Sequence, residues 1–170
     1  NKGAPTGTFA GIASGVTHTD RLVNISARGS SGDNDQIIIT GFIIGGTQPR
    51  TILLRAVGPS LSSFGVSGVM ENPVLTLYDA ARNAIASNDD WSTSANASLI
   101  GSEGDRIGAF PLNAGSKDAA LLVTLQPGLY TAQATRAANT ANGVALIEIY
   151  DATLTGSTSE KLVNISSRGQ

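Results

Sequence analysis

Catalysis needs an acid, a base or a nucleophile held in place, and this 170-residue chain carries few side chains suited to that work. His18 is its single histidine. It lies in a Gly-, Ala- and Thr-rich leader, Asn1 to Asp20, where no neighbour in sequence can orient it as a general base. There is no Cys, which excludes thiol nucleophiles, disulfides and thiolate metal sites. Gly58-Pro59-Ser60 lacks the Gly-x-Ser-x-Gly spacing of a nucleophile elbow, so Ser60 reads as a turn or helix-start residue. On these grounds the chain is expected not to be an enzyme and to require no cofactor.

The cluster with the best ligand chemistry is Asn88-Asp89-Asp90, three adjacent oxygen-bearing side chains after a strand-like run. Ca²⁺ takes six to eight oxygens and tolerates irregular loops, so these residues form a candidate calcium site. The spacing is not that of an EF-hand, and turn residues that hydrogen-bond their own backbone have the same composition. Asp33-Asn34-Asp35 carries the same two readings. Trp91 is the single Trp, and with aromatics at 5% of the chain no sugar-stacking platform is evident, so a packing role is expected for it. Asn24, Asn96 and Asn164 each open an Asn-x-Ser sequon; the first and last fall inside predicted strands.

Eleven basic residues against 13 acidic give a formal charge of -2, with no basic cluster to follow a phosphate backbone, so nucleic acid is not expected as a partner. Charged residues make up 14% of the chain, against about 25% in an average soluble domain. So little charge hydrates a free surface poorly, which fits a surface covered in an assembly and equally fits many secreted β proteins. The longest apolar stretch, Ile37 to Gly46, is broken by Thr40 and Gly41 and is too short to cross a bilayer core of about 30 Å. No transmembrane segment is expected.

The elements that must carry these residues are strands. Short runs rich in Val, Ile, Leu, Thr and Tyr alternate with Gly, Pro, Asn and Asp clusters, the signature of a β-sandwich. Strands are predicted at Arg21 to Ala27, Gln36 to Ile44, Arg50 to Val57, Val74 to Tyr78, Ala84 to Ser87, Ala119 to Leu125, Leu129 to Thr135, Val144 to Tyr150 and Lys161 to Ser166. Gln126-Pro127-Gly128 predicts a tight turn and a hairpin between the strands on either side. Pro59 to Phe64 and Asn96 to Ile107 are each expected to hold a helical turn.

The chain also repeats itself. Arg21-Leu22-Val23-Asn24-Ile25-Ser26-Ala27-Arg28-Gly29 returns 140 residues later as Lys161-Leu162-Val163-Asn164-Ile165-Ser166-Ser167-Arg168-Gly169, with seven of nine positions identical. One reading is the joint of a modular array, in which the strand closing one unit is of the same kind as the strand opening the next. The other is a pseudo-symmetric pair of edge strands within one domain. A weaker echo, Leu75-Thr76-Leu77-Tyr78-Asp79-Ala80 against Ile147-Glu148-Ile149-Tyr150-Asp151-Ala152, reads as similar turn chemistry at the ends of two strands.

The runs Arg21 to Ser26, Arg55-Ala56-Val57-Gly58-Pro59-Ser60-Leu61, Asn72 to Asp79, Ser87-Asn88-Asp89-Asp90-Trp91 and Asp118 to Leu125 resemble a repeat module of large secreted proteins of environmental bacteria. The Leu-Tyr-Asp strand, the Asn-Asp-Asp turn and the Pro-Gly-x-Tyr-Thr segment are similar, more distantly, to the bacterial pre-peptidase C-terminal domain, a small β-sandwich appended to secreted enzymes. The resemblance implies a jelly-roll-like sandwich, an extracellular or cell-surface location, and a structural or accessory role.

Together these readings predict an all-β, jelly-roll-like sandwich over residues 21–170 with extended terminal segments, preceded by the Gly-rich leader 1–20. The expected partner is a second copy of the chain, met head to tail through the terminal strands. Leu22, Val23 and Ile25, and equivalently Leu162, Val163 and Ile165, are the candidate association residues, with Phe9, Ile12 and Val16 of the leader as a second set. The alternative is an accessory module that binds calcium or an extracellular polysaccharide.

Overall fold

The computed structural model describes residues 24–31, 37–153 and 162–168. They form two antiparallel sheets. One holds β1 (Asn24–Ser31), β8 (Gly143–Asp151), β3 (Arg50–Val57) and β6 (Ala119–Leu125), in that order. The other runs β5 (Ala84–Asn88), β4 (Pro73–Tyr78), β7 (Gly128–Arg136), β2 (Ile38–Ile44) and β9 (Leu162–Arg168). The orders 1-8-3-6 and 2-7-4-5 are those of an eight-stranded jelly roll, and β9 is a ninth strand laid on the free edge of β2. The predicted all-β sandwich is therefore the fold.

Period-two alternation builds the core between the sheets. Along β2 the buried positions are Ile38, Thr40, Phe42 and Ile44, with half-buried residues between them. Ile52, Leu54 and Ala56 of β3 and Ala145, Ile147 and Ile149 of β8 meet Leu75, Leu77, Ala132 and Ala134 from the facing sheet. Alanines on β7 opposite larger residues on β3 and β8 let the two inner faces interdigitate. Gly58 and Gly143 serve close approach: a Cβ on Gly143 would lie 2.5 Å from the Met70 nitrogen, and one on Gly58 would lie 2.2 Å from the Met70 oxygen. That space lets residues 68–70 run beside β8, where Met70 N–H donates to the Val144 carbonyl at 2.9 Å.

Two sequence expectations are corrected. The strands flanking Gln126-Pro127-Gly128 do not form a hairpin: β6 pairs with β3 in one sheet and β7 with β2 and β4 in the other. Ala119 and Leu125 of β6 and Ala132 and Ala134 of β7 line the core from the two sheets, so the turn carries the chain across the roughly 10 Å between them. Leu125 closes one inner face, and Tyr130, stacked on Phe42 at 5.5 Å, closes the other. Second, Asn96 to Ile107 holds more than a helical turn. It contains α1 (Ala97–Ile107), 11 residues long, lying on the outer face of the first sheet through buried Ile100 and Gly104. Gly108 at φ 79° ends it, with Ala109 N–H donating back to the Gly104 carbonyl at 2.9 Å. Pro59–Phe64 forms a 3₁₀ helix.

Gly101 and Gly104 weaken α1 without an evident backbone reason, because a Cβ at either position would meet nothing within 4 Å. Gly104→Ala and Gly101→Ala are each expected to raise stability by about 0.5–1 kcal/mol through helix propensity. The midpoint of urea unfolding reads this, and a lower midpoint would show that the space beside them has to stay open.

Candidate functional site: the paired edge strands and their supports

The described parts of both repeat copies, residues 24–29 and 162–168, lie in this one sandwich, at the edges of opposite sheets. β1 pairs with β8 alone, with Asn24 opposite Tyr150, Ile25 opposite Ile149, Ser26 opposite Glu148 and Arg28 opposite Leu146. β9 pairs with β2 alone, with Ile165 opposite Phe42, Asn164 opposite Ile43 and Leu162 opposite Ile44. The register shift between Ile43 and Ile44 leaves Val163 as the extra residue of a bulge. β1 packs across the sandwich onto β2, so the two edges open on the same flank. Each leaves one row of backbone N–H and C=O groups without a strand partner among the described residues, the feature through which a sheet can be extended.

The strand beneath β1 is held by buried charge. Arg55 of β3 donates through Nε to Glu148 Oε2 of β8 at 2.9 Å, and its NH2 group also reaches that oxygen. Its NH1 group donates to the Phe110 carbonyl at 2.6 Å, and the guanidinium lies 4.3 Å from the Phe110 ring centre. Tyr150 donates to the other oxygen, Glu148 Oε1, at 2.8 Å. Arg55 is 2% exposed and Glu148 4%, so both charges depend on each other for solvation. On the inner side of the same two strands Arg50 and Asp151 form a second buried pair at 3.1 Å.

Burial, and then the hydrogen bond to Glu148, push the Tyr150 hydroxyl well above its ordinary value of 10.0. The neutral phenol is thus favoured in the folded chain. Its contribution is complete below the unfolded value and is lost as pH rises beyond it, so alkaline unfolding is expected to begin above about pH 10. Tyr150→Phe should flatten that alkaline limb in a stability-against-pH series, and an unchanged limb would count against this assignment.

Asp118, fully buried before β6, organises the end of the roll. Its Oδ1 accepts N–H bonds from Gly58 at 2.8 Å and Ser60 at 3.3 Å, and its Oδ2 accepts from the Ser60 and Ser116 hydroxyls. Ser60 therefore anchors the 3₁₀ helix and, by accepting Asn113 N–H at 2.9 Å, the loop beyond α1. Asn88 ties β5 to β6 by accepting Ala120 N–H at 2.9 Å, while its amide donates to the Asp90 carbonyl at 3.3 Å. Asp90 Oδ1 is buried and has no hydrogen-bond partner. Among the described residues no group of three or more His, Cys, Asp and Glu side chains is placed to hold a metal ion.

Trp91 packs against the cluster under α1, and its indole N–H reaches Ser116 Oγ at 3.2 Å, in keeping with the packing role read from composition. Together with Arg55, Ile100, Phe110 and Leu112 it lines a recess of about 130 Å³ beside the helix. The two Tyr-Asp echoes differ in use. Asp79 binds Asn83 through the side-chain amide at 3.0 Å and the backbone N–H at 2.8 Å, bonds that hold its carboxyl below the ordinary range in an exposed turn. Asp151 is the buried partner of Arg50. Asn96, the middle sequon, is half-buried and accepts the Ser94 hydroxyl at 2.6 Å. Phe9, Ile12, Val16, His18, Leu22, Val23 and Asp33-Asn34-Asp35 lie outside the described residues. Ile25 is half-buried toward the core, and Leu162, Val163 and Ile165 fall on β9.

The buried ion pairs are what sequence reading missed. A signal was present, since β3 carries two charges, Arg50 and Arg55, and β8 two, Glu148 and Asp151, within largely apolar strands, but the Arg55–Glu148 partnership spans 93 residues. Among the described residues no helix is long and apolar enough to cross a membrane. No family model matches the chain, and no curated protein does. Among solved structures it is similar to the pre-peptidase C-terminal domain of a collagenase from Bacillus anthracis, at 12% identity and a TM-score of 0.44, over 75% of this chain and 89% of that one.

Proposed function

We propose that the chain is a structural module of an extracellular bacterial assembly that joins copies of itself head to tail through its terminal strands. The observation that carries this reading is the placement of two near-identical strands on the open edges of the two sheets, on one flank. An edge strand takes affinity from backbone hydrogen bonds and specificity from alternate side chains. A contact between two different edges is heterologous and need not close, so it can build an open fibre. Low charge, at 14% of residues, is consistent with a surface covered by neighbours. Sedimentation velocity across a concentration series tests it: the full chain is expected to form large species, and chains lacking residues 161–170 or 1–20 to stop at monomers or short oligomers. Equal assembly by both truncated chains would refute the role of the termini.

A second reading, a calcium-binding accessory module, is favoured by the buried, unpartnered Asp90 Oδ1 beside Asn88 and Asp89. Ca²⁺ bound there would stabilise the folded state by mass action. A melting temperature that is the same in calcium and in chelator would remove this reading.

A further inference from the structure

The eight strands β1 to β8 complete the roll, and β9 is added outside it. Taking β9 off the edge of β2 leaves every strand pair of the roll in place. β9 is also a near-copy of the strand that opens the roll. Where β8 meets Asn24, Ile25, Ser26, Ala27 and Arg28 of β1, the corresponding residues of β9 are Asn164, Ile165, Ser166, Ser167 and Arg168. The single difference falls at Ala27, which is half-buried and so not sealed from solvent.

We infer that the edge of β8 accepts β9 of a second copy of the chain in place of β1. In that exchange Asn164 stands opposite Tyr150, Ile165 opposite Ile149, Ser166 opposite Glu148 and Arg168 opposite Leu146, by the register that β1 keeps. The displaced β1 carries nearly the sequence that the donor copy's β2 has given up, and it takes that edge in turn. The number of strand pairs is therefore unchanged by the exchange. Each copy has one β1 and one β9, so it can exchange with a different neighbour at each, and the series can extend. The inference rests on the head-to-tail reading and adds to it which strand moves, to which edge and in which register.

The chain has no cysteine, so engineered pairs report the register directly. Opposed residues of antiparallel strands lie about 4.5–5.5 Å apart at Cα, within the range a disulfide bridges. In an unexchanged copy Leu146 lies opposite Arg28 on one sheet, whereas Arg168 lies opposite Ile39 on the other. The full chain carrying Leu146→Cys and Arg168→Cys, oxidised after assembly, is expected to run on a non-reducing denaturing gel as a ladder extending past the dimer. Each single variant should stop at the dimer. Leu146→Cys with Arg28→Cys, oxidised before assembly, should close within each copy, lock β1 on β8 and abolish multimers until reductant is added. Multimers without the ladder, a Leu146→Cys/Arg168→Cys bond that closes within monomers, or an Ile39→Cys/Arg168→Cys bond that joins copies would each overturn the exchange while leaving head-to-tail assembly standing. An unmodified chain that sediments only as monomer would overturn both.

Discussion

Arg55→Met is expected to lower the stability of the module by about 3–5 kcal/mol, because it strands Glu148 as an uncompensated charge in the covered face of the first sheet. Glu148 is 4% exposed, and its remaining donor, Tyr150, satisfies only one of its oxygens. Loss of Arg55 also removes the cation from the Phe110 ring and its bond to the Phe110 carbonyl, so the loop beyond α1 should loosen with it. The double change Arg55→Met with Glu148→Leu should recover most of the loss, since two apolar side chains need no mutual solvation. Equilibrium unfolding in urea measures both. A single variant within 1 kcal/mol of the parent, or a double variant no better than the single, would show that the pair is not held as described.

The second large effect is expected at Asp118. Asp118→Ala removes the acceptor of four bonds and leaves the Gly58 and Ser60 N–H groups buried without a partner. Each orphaned group costs about 1–3 kcal/mol, so a total loss on the order of 3–5 kcal/mol is expected. Asp118→Asn keeps one acceptor oxygen and should lose less. The site of the damage is as informative as its size: amide exchange should accelerate first in the 3₁₀ helix Pro59–Phe64 and in the loop reached through Ser60, rather than in β4 and β7 on the other sheet.

Much of the fold was legible in the chain because alternation with period two is a local signal. β2 shows it at every position from Ile38 to Ile44. The strand near the N-terminus runs on to Ser31 rather than ending at Ala27, because β8 offers partners as far as Gly143, and a partner's length is invisible from the strand itself. The supposed hairpin at Gln126-Pro127-Gly128 failed for a related reason. Turn chemistry fixes how sharply the chain bends but not whether the next strand returns to the same sheet. That choice depends on which faces Leu125 and Tyr130 bury. α1 was under-read because Gly101 and Gly104 depress the helical pattern, while its burial against Leu53, Ala120 and Tyr150 comes from distant segments. At the candidate site, the repeat was plain in the sequence. Its assignment to the edges of two different sheets depends on pairings of β1 with β8 and of β9 with β2, each separated by more than a hundred residues.

Whether copies of this chain join end to end without closing is read from negative-stain electron microscopy of the purified full chain over a rising concentration series. Unbranched filaments of a single width that lengthen with concentration are expected. A field of separate single modules at the highest concentration, or of closed rings, would contradict such joining.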